Sequence, residues 1–170
     1  MYIKDFLFAI ECTSQAKLHN KTVVITGANT GIGKETALDL AARGARVIIG
    51  CRDIEKGRKA AEDINEQIKD TQVIVKYLDL ASFASIRKFA AEILKSEPQI
   101  HILVNNAGVM ACPKSKTEEG FETHFGVNYL GHFLLTNLLL DRIKASAPAR
   151  IVNVSSLIYF CKMLNHVFFT

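Results

Sequence analysis

TVVITGANTGIGKETA, residues 22–37, decides the fold. Val23, Val24 and Ile25 form the continuous apolar run that a central parallel strand needs when both of its faces are covered. Thr26 ends the run, Gly27, Gly31 and Gly33 follow, and the residues beyond favour helix. Strand, glycine loop and helix in that order is how an α/β protein cradles the pyrophosphate of a nucleotide. Gly27 can supply a backbone angle that other residues resist, while Gly31 and Gly33 let main chain approach a phosphate without a Cβ in the way. The free N–H groups and positive dipole end of the helix then favour the anion. The spacing is not that of the G-x-G-x-x-G fingerprint, because a fingerprint begun at Gly31 would end on Thr36. It is T-G-x-x-x-G-x-G, and taken alone such a loop can also be an ordinary tight turn.

Working outward, the alternation of strand and helix repeats. Ala37, Leu38, Leu40 and Ala41 give the first helix an apolar face, and Gly44 suits its C-terminal cap. ARVIIG at 45–50 reads as a second buried strand, and Asp53 is placed to cap the next helix, whose face is Ala60, Ala61, Ile64 and Ile68. QVIVK at 72–76 is a third strand, followed by a helix with Phe83, Ile86, Ala90, Ile93 and Leu94 at helical spacing. Pro98 breaks the pattern before a fourth strand, IHILV at 100–104, which ends on Asn105 to Gly108. A long helix is expected from about Glu118 to Lys144, ended by Pro148, and RIVNVS at 150–155 is the fifth strand. Such βαβ units cross over right-handed into one parallel sheet. The expected fold is therefore a Rossmann-like, doubly wound α/β sheet of order 3-2-1-4-5, with the cofactor at the switch point between strands one and four. The divisions are a lead-in at 1–20, a nucleotide-binding domain at 21–157 and a tail at 158–170.

Composition narrows the function. A net charge of +4 with no concentrated run of Lys or Arg argues against a nucleic-acid partner. Cys12, Cys51, Cys112 and Cys161 are far apart, with no C-x-x-C pair and no ligand-spaced His, so free thiols in a reducing compartment and no metal are expected. The apolar patch Phe6 to Ile10 is far short of the roughly 20 residues a spanning helix needs. It is also too short for a secretory segment, and could touch a membrane surface or lie against the domain.

Six motifs then carry a resemblance: TGANTGIGKETA, CRD at 51–53, LDL at 78–80, NNAGVM at 105–110, GVNYLGHF at 126–133 and RIVNVSS at 150–156. Together, over about residues 21 to 157, the chain resembles the short-chain dehydrogenases/reductases, and within them the retinol dehydrogenases. The resemblance implies hydride transfer between a nicotinamide cofactor and a small apolar alcohol or aldehyde such as a retinoid. It assigns Gly27, Asn29, Thr30, Gly31, Ile32 and Gly33 to the cofactor, with Asp79 and Leu80 beside the adenine and the turn holding Asn105, Ala107 and Gly108 lining the nicotinamide ribose and stabilising the sheet. By themselves Asp79 can equally be a capping carboxylate, and Asn105 to Gly108 a simple turn. A carboxylate at the end of the second strand would bind the ribose hydroxyls of NAD. Cys51 stands there, and Arg52 offers a guanidinium suited to a 2′-phosphate, so NADP(H) is expected over NAD(H). Asp53 nearby, and Thr30 where many NADP-preferring members carry a basic residue, count against it.

For catalysis the resemblance supplies Ser156 as the serine that orients the substrate oxygen and Asn128 as the helix asparagine of the proton relay. Phe121, Phe125, Asn128, His132 and Leu135 share a face of the expected long helix, so Asn128 should point inward as a buried amide with partners. The family's base is a Tyr whose phenol, with an ordinary pKa of about 10, is made usable by a Lys one turn away. That Tyr-x-x-x-Lys is absent: Tyr2, Tyr77, Tyr129 and Tyr159 are followed four residues on by Phe6, Ala81, Phe133 and Met163. Tyr159 and Lys162 are three apart, and nothing places His166 near Ser156. The resemblance stops after Leu157, which implies a truncated or alternatively ended product, or a mis-called gene, with the fifth strand as an open edge. Three readings stand: a dehydrogenase completed by a true C-terminus or by pairing with itself or a full-length relative, an inactive NADP(H)-binding module, or an unstable fragment. Members of this group are anchored to the endoplasmic reticulum membrane, but the Phe6 to Ile10 patch cannot carry that over, which leaves a cytoplasmic location open.

Overall fold

The computed structural model describes residues 12–69 and 71–156. The Phe6 to Ile10 patch, Leu157, Tyr159, Cys161, Lys162, His166 and the rest of the tail lie outside the described residues. The elements run β1 (Thr22–Thr26), α1 (Gly31–Ala42), β2 (Arg46–Cys51), α2 (Ile54–Gln67), β3 (Val73–Tyr77), α3 (Phe83–Ser96) and β4 (Ile102–Asn105). A single turn α4 (Thr123–Phe125), a π-helical segment (Gly126–Gly131), α5 (His132–Ala145) and β5 (Arg150–Asn153) complete it. The strands form one sheet of order β3-β2-β1-β4-β5, every pairing parallel, as the sequence predicts.

The side-chain period of two sorts the strands between two cores. Val23, Ile25, Val47 and Ile49 pack with Ala37, Ala41 and Ile64 of α1 and α2. Val24, Ile48 and Leu103 pack on the other face with Phe89 and Ile93 of α3 and Leu135 and Leu139 of α5. Local signals behave as expected at the helix ends: Asp53 Oδ1 accepts the Lys56 amide at 3.0 Å, and Gly44 sits at φ +89° past the end of α1. At the opposite end of the sheet from the glycine loop, Arg46 grips the buried Glu97 carboxylate with two bonds, of 2.9 and 3.0 Å.

The expected helix over 118–144 is corrected. Glu118 and Glu119 lie outside it because their carboxylates serve α3, accepting from Ser82 Oγ and, at 2.6 Å, from the Phe83 amide. Helix begins at Thr123, passes through the π segment and ends at Ala145. β5 is exposed along its whole length.

Candidate functional site

The crevice at the carboxyl ends of β1 and β4 encloses about 530 Å³. Gly27, Asn29, Thr30, Gly31, Ile32, Gly33, Arg52, Asp79, Leu80, Ala107 and Gly108 all line it. Gly31 has φ +55° and nothing within 4 Å of where a Cβ would stand, so it opens onto the crevice. Thr30, the N-cap of α1, makes no side-chain cap bond, and the first turn holds no acidic residue. The N–H donors and dipole of that turn are thereby left to an anionic ligand, which is the fit a nucleotide pyrophosphate requires. The other two glycines are demanded first by packing. A Cβ on Gly33 would stand 2.5 Å from Asn106 Nδ2, and one on Gly27 2.8 Å from Ala107 Cα.

At the far end of the crevice the buried Cys51 thiol donates to the Asp53 carbonyl at 3.3 Å. Burial, with the Asp53 charge adding to it, pushes that thiol up to about 11. Asp53 is engaged twice by Lys56, through its amide and through an ammonium 3.3 Å from Oδ2. The Lys56 amide is the main reason its carboxyl is held below the usual carboxylate range. Asp79 lines the crevice, and its Oδ1 accepts the Ala81 amide at 2.9 Å, closing the turn into α3.

A second hollow of about 640 Å³ lies on the other side of the loop 106–109, which lines both. Asn128 and Ser156 border this hollow together. The inward, buried Asn128 is corrected: its side chain is exposed and clamps the Val109 peptide, accepting the amide at 2.8 Å and donating to the carbonyl at 2.9 Å. Asn105 lines this second hollow rather than the crevice. Its Nδ2 donates to Asn153 of β5 at 2.8 Å and to Thr136 of α5 at 3.1 Å, while its buried Oδ1 has no partner among the described residues.

The residues that sequence reasoning missed are those joining the two spaces. Thr26 Oγ1 accepts the amides of Asn106 and Ala107, both at 2.9 Å, and lies 2.9 Å from His132 Nε2. With two donors already facing it, the hydroxyl gives its own hydrogen to Nε2, so His132 is neutral with its proton on Nδ1. Nδ1 then donates to the Asn128 carbonyl at 3.1 Å. Burial holds the His132 pKa below the ordinary value, which agrees with the neutral ring. Thr26, Asn106 and His132 all fall inside recognisable motifs, but only the approach of the first residue of α5 to the end of β1 shows them as one unit. Among the described residues no group of three or more His, Cys, Asp or Glu is placed to hold a metal, and no helix is long and apolar enough to cross a membrane.

Comparison with known proteins agrees with this geometry. The short chain dehydrogenase family model matches residues 21–167, extending past Leu157, where the motifs end. The chain is 61% identical over 155 residues to retinol dehydrogenase 12 of Mus musculus, covering 91% of this chain and 49% of that protein. It is 58% identical over 155 residues to retinol dehydrogenase 13 of Homo sapiens, covering 91% and 47%. The chain thus spans about half the length of the curated relatives it matches. A metagenomic short-chain oxidoreductase solved in complex with NADP superposes with a TM-score of 0.71 at 32% identity, over 82% of this chain and 64% of that one. The chain belongs to the short chain dehydrogenase family, with retinol dehydrogenases among its relatives.

Proposed function

We propose that this chain is the NADP(H)-binding portion of an oxidoreductase that acts on apolar alcohols or aldehydes such as retinoids, and that these 170 residues alone bind the cofactor without turning it over. The observation that carries the cofactor choice is the pairing at the end of β2. Asp53, the carboxylate that could have bound ribose hydroxyls, is committed to the α2 cap and to Lys56. The neighbouring Arg52 lines the crevice with its guanidinium exposed. A bidentate guanidinium is the natural partner of a 2′-phosphate. The relative solved with NADP is consistent with this reading.

When bound, the nicotinamide supplies the hydride; the chain's own groups position the reacting alcohol or carbonyl. Ser156 and Asn128 border a hollow whose wall includes Met110, Tyr129, Phe133 and Ile151, an apolar surface suited to a retinoid. The names of the retinol dehydrogenase relatives support that substrate class. Proton exchange at the substrate oxygen calls for a phenol with a lowered pKa, and no Tyr in these residues has a Lys four positions on. Activity therefore needs that pair from further sequence or from a second chain.

Titration of the purified chain with NADPH and with NADH tests the proposal. Charge-assisted bonds to the 2′-phosphate are worth about 1.5–3 kcal/mol, so NADPH should bind roughly ten- to a hundredfold more tightly. Arg52→Ala should remove most of that preference and leave NADH binding unchanged. Equal affinity for the two cofactors, unaltered by Arg52→Ala, would overturn the assignment. Retinol or retinal turnover well above that of Ser156→Ala would refute the silent-module reading.

A further inference from the structure

The crevice and the second hollow share one wall, the loop 106–109. On the crevice side that loop is wedged against the glycine turn. Asn106 Nδ2 donates to the Thr26 carbonyl at 2.9 Å, and Gly27 and Gly33 pass Ala107 and Asn106 too closely for any Cβ. A displacement of residues 106 and 107 therefore reaches the backbone suited to a pyrophosphate. The loop's main chain is tied at two points. Thr26, at the end of β1, accepts the Asn106 and Ala107 amides, and Asn128, in the π segment, clamps Val109. These anchors stand on different elements, and His132 is bonded to both. Its Nε2 lies 2.9 Å from Thr26 Oγ1 and its Nδ1 3.1 Å from the Asn128 carbonyl oxygen. The ring is 7% exposed and has no internal rotation, so it holds the two anchors at a set separation. The opposite end of the crevice, with Arg52 after β2 and Asp79 after β3, rests on other supports: the α2 cap at Asp53 and the turn bond to Ala81.

We infer that His132 is a positioning residue for the nicotinamide half of the cofactor: by spacing Thr26 and Asn128 it sets the loop 106–109 against which that half lies. The inference rests on the cofactor reading above, and concerns the half of the ligand that NADP(H) and NAD(H) share. His132 acts through its two partners and not on the reacting atoms. Without the ring, the Thr26 hydroxyl and the Asn128 carbonyl lose their common partner and the two anchors move independently. Binding must then order the loop, at a cost in affinity. Both dinucleotides should lose affinity equally, whereas Arg52→Ala acts on the 2′-phosphate alone.

Calorimetric titration of the full chain with NADPH, NADH and adenosine 2′,5′-bisphosphate, which lacks the nicotinamide half, tests this. His132→Ala should weaken NADPH and NADH by the same factor, about tenfold, the size of one lost hydrogen bond. The bisphosphate should stay within about twofold of its parent affinity. His132→Gln, whose side-chain oxygen can still accept the Thr26 hydroxyl, should recover part of the loss. In the ligand-free chain, hydrogen exchange at the Asn106, Ala107 and Val109 amides should quicken in His132→Ala by more than that of Val24 and Leu103 in the sheet. A bisphosphate affinity that falls as far as that of NADPH would make His132 a general support of the fold and overturn the role. Loop exchange that quickens no more than the sheet's would do the same. If His132→Ala does not fold, the same comparisons on His132→Gln decide. Equal parent affinities for NADPH and NADH would sink the Arg52 assignment alone, since an NADH loss in His132→Ala would still support the loop's role. A parent chain that binds neither dinucleotide would overturn both.

Discussion

Thr26 Oγ1 receives two amide hydrogens and has one hydrogen to give, so its bond to His132 tolerates only one protonation state of the ring. A proton on Nε2 would place a third donor against an oxygen already receiving two. His132 thereby couples the end of β1 to the Asn128 carbonyl, and Asn128 in turn holds Val109. Its folded pKa lies below the ordinary histidine value of about 6.5, because burial disfavours the imidazolium. As pH falls, the unfolded chain takes up this proton first. The stabilisation is therefore complete above about pH 6.5 and is lost as pH falls through the lower folded value. His101 shifts in the same direction, through burial and then Lys21, while its Nδ1 accepts the Thr22 amide at 3.1 Å. Urea unfolding should thus show lower stability at pH 5.5 than at pH 7.5. His132→Gln should cost about 1–3 kcal/mol at pH 7.5 and flatten part of the slope, leaving the share due to His101. A slope unchanged in His132→Gln would remove His132 from the acid response.

At the scale of elements, the π segment is where helix and site meet. Gly126 and Gly131 bound it, and a Cβ on Gly131 would stand 2.7 Å from the Leu80 carbonyl oxygen. That obstacle is backbone, so it cannot swing aside. Gly131→Ala should push the segment off the turn at 79–80 and cost about 1–3 kcal/mol, read as a lower urea midpoint. A variant as stable as the parent would mean that the contact yields. The same segment explains what the sequence left hidden. The strands, their order and the Asp53 cap follow from local signals, namely apolar runs, turn residues and a capping carboxylate. A face of period 3.6 points Asn128 inward, but a π turn carries more residues and rotates those within and after it. The face drawn from Phe121 to Leu135 therefore does not exist as one stripe, and Phe121, Phe125 and Asn128 are exposed. The early start at Glu118 failed differently, because carboxylates that look helical locally are spent on a helix distant in sequence. The motif marks Asn105 without showing its partners, which belong to β5 and α5 and lie far from it in sequence.

Over the whole molecule, the two sheet edges are unequal. On β3, Lys76 faces Glu92 of α3 at 3.7 Å, placing charge beside that edge. On β5 the charge is confined to Arg150 at its start, and beyond it Ile151, Val152 and the following Val154 are 37–44% exposed. Beside them Phe125, Tyr129 and Phe133 stack in series, with ring centroids 5.3 and 6.2 Å apart, and all three are largely exposed. Tyr129, Phe133, Ile151 and Val154 line the same hollow, so strand and aromatics make one continuous apolar surface next to strand backbone that pairs with no further strand among the described residues. A long apolar edge of that kind templates further pairing, and an apolar patch of that kind drives association. The chain should therefore self-associate, its light-scattering mass rising with concentration over roughly 1–100 μM, and should bind an apolar dye such as ANS while still folded. Val152→Lys combined with Phe133→Lys places charge on the edge and on the aromatic row, both at exposed positions, and leaves the two cores untouched. That double variant should shift the chain toward monomer and weaken dye binding without lowering the urea midpoint by more than about 0.5–1 kcal/mol. A parent chain that stays monomeric at 100 μM, or a double variant that associates equally, would show that the β5 face is not the adhesive surface.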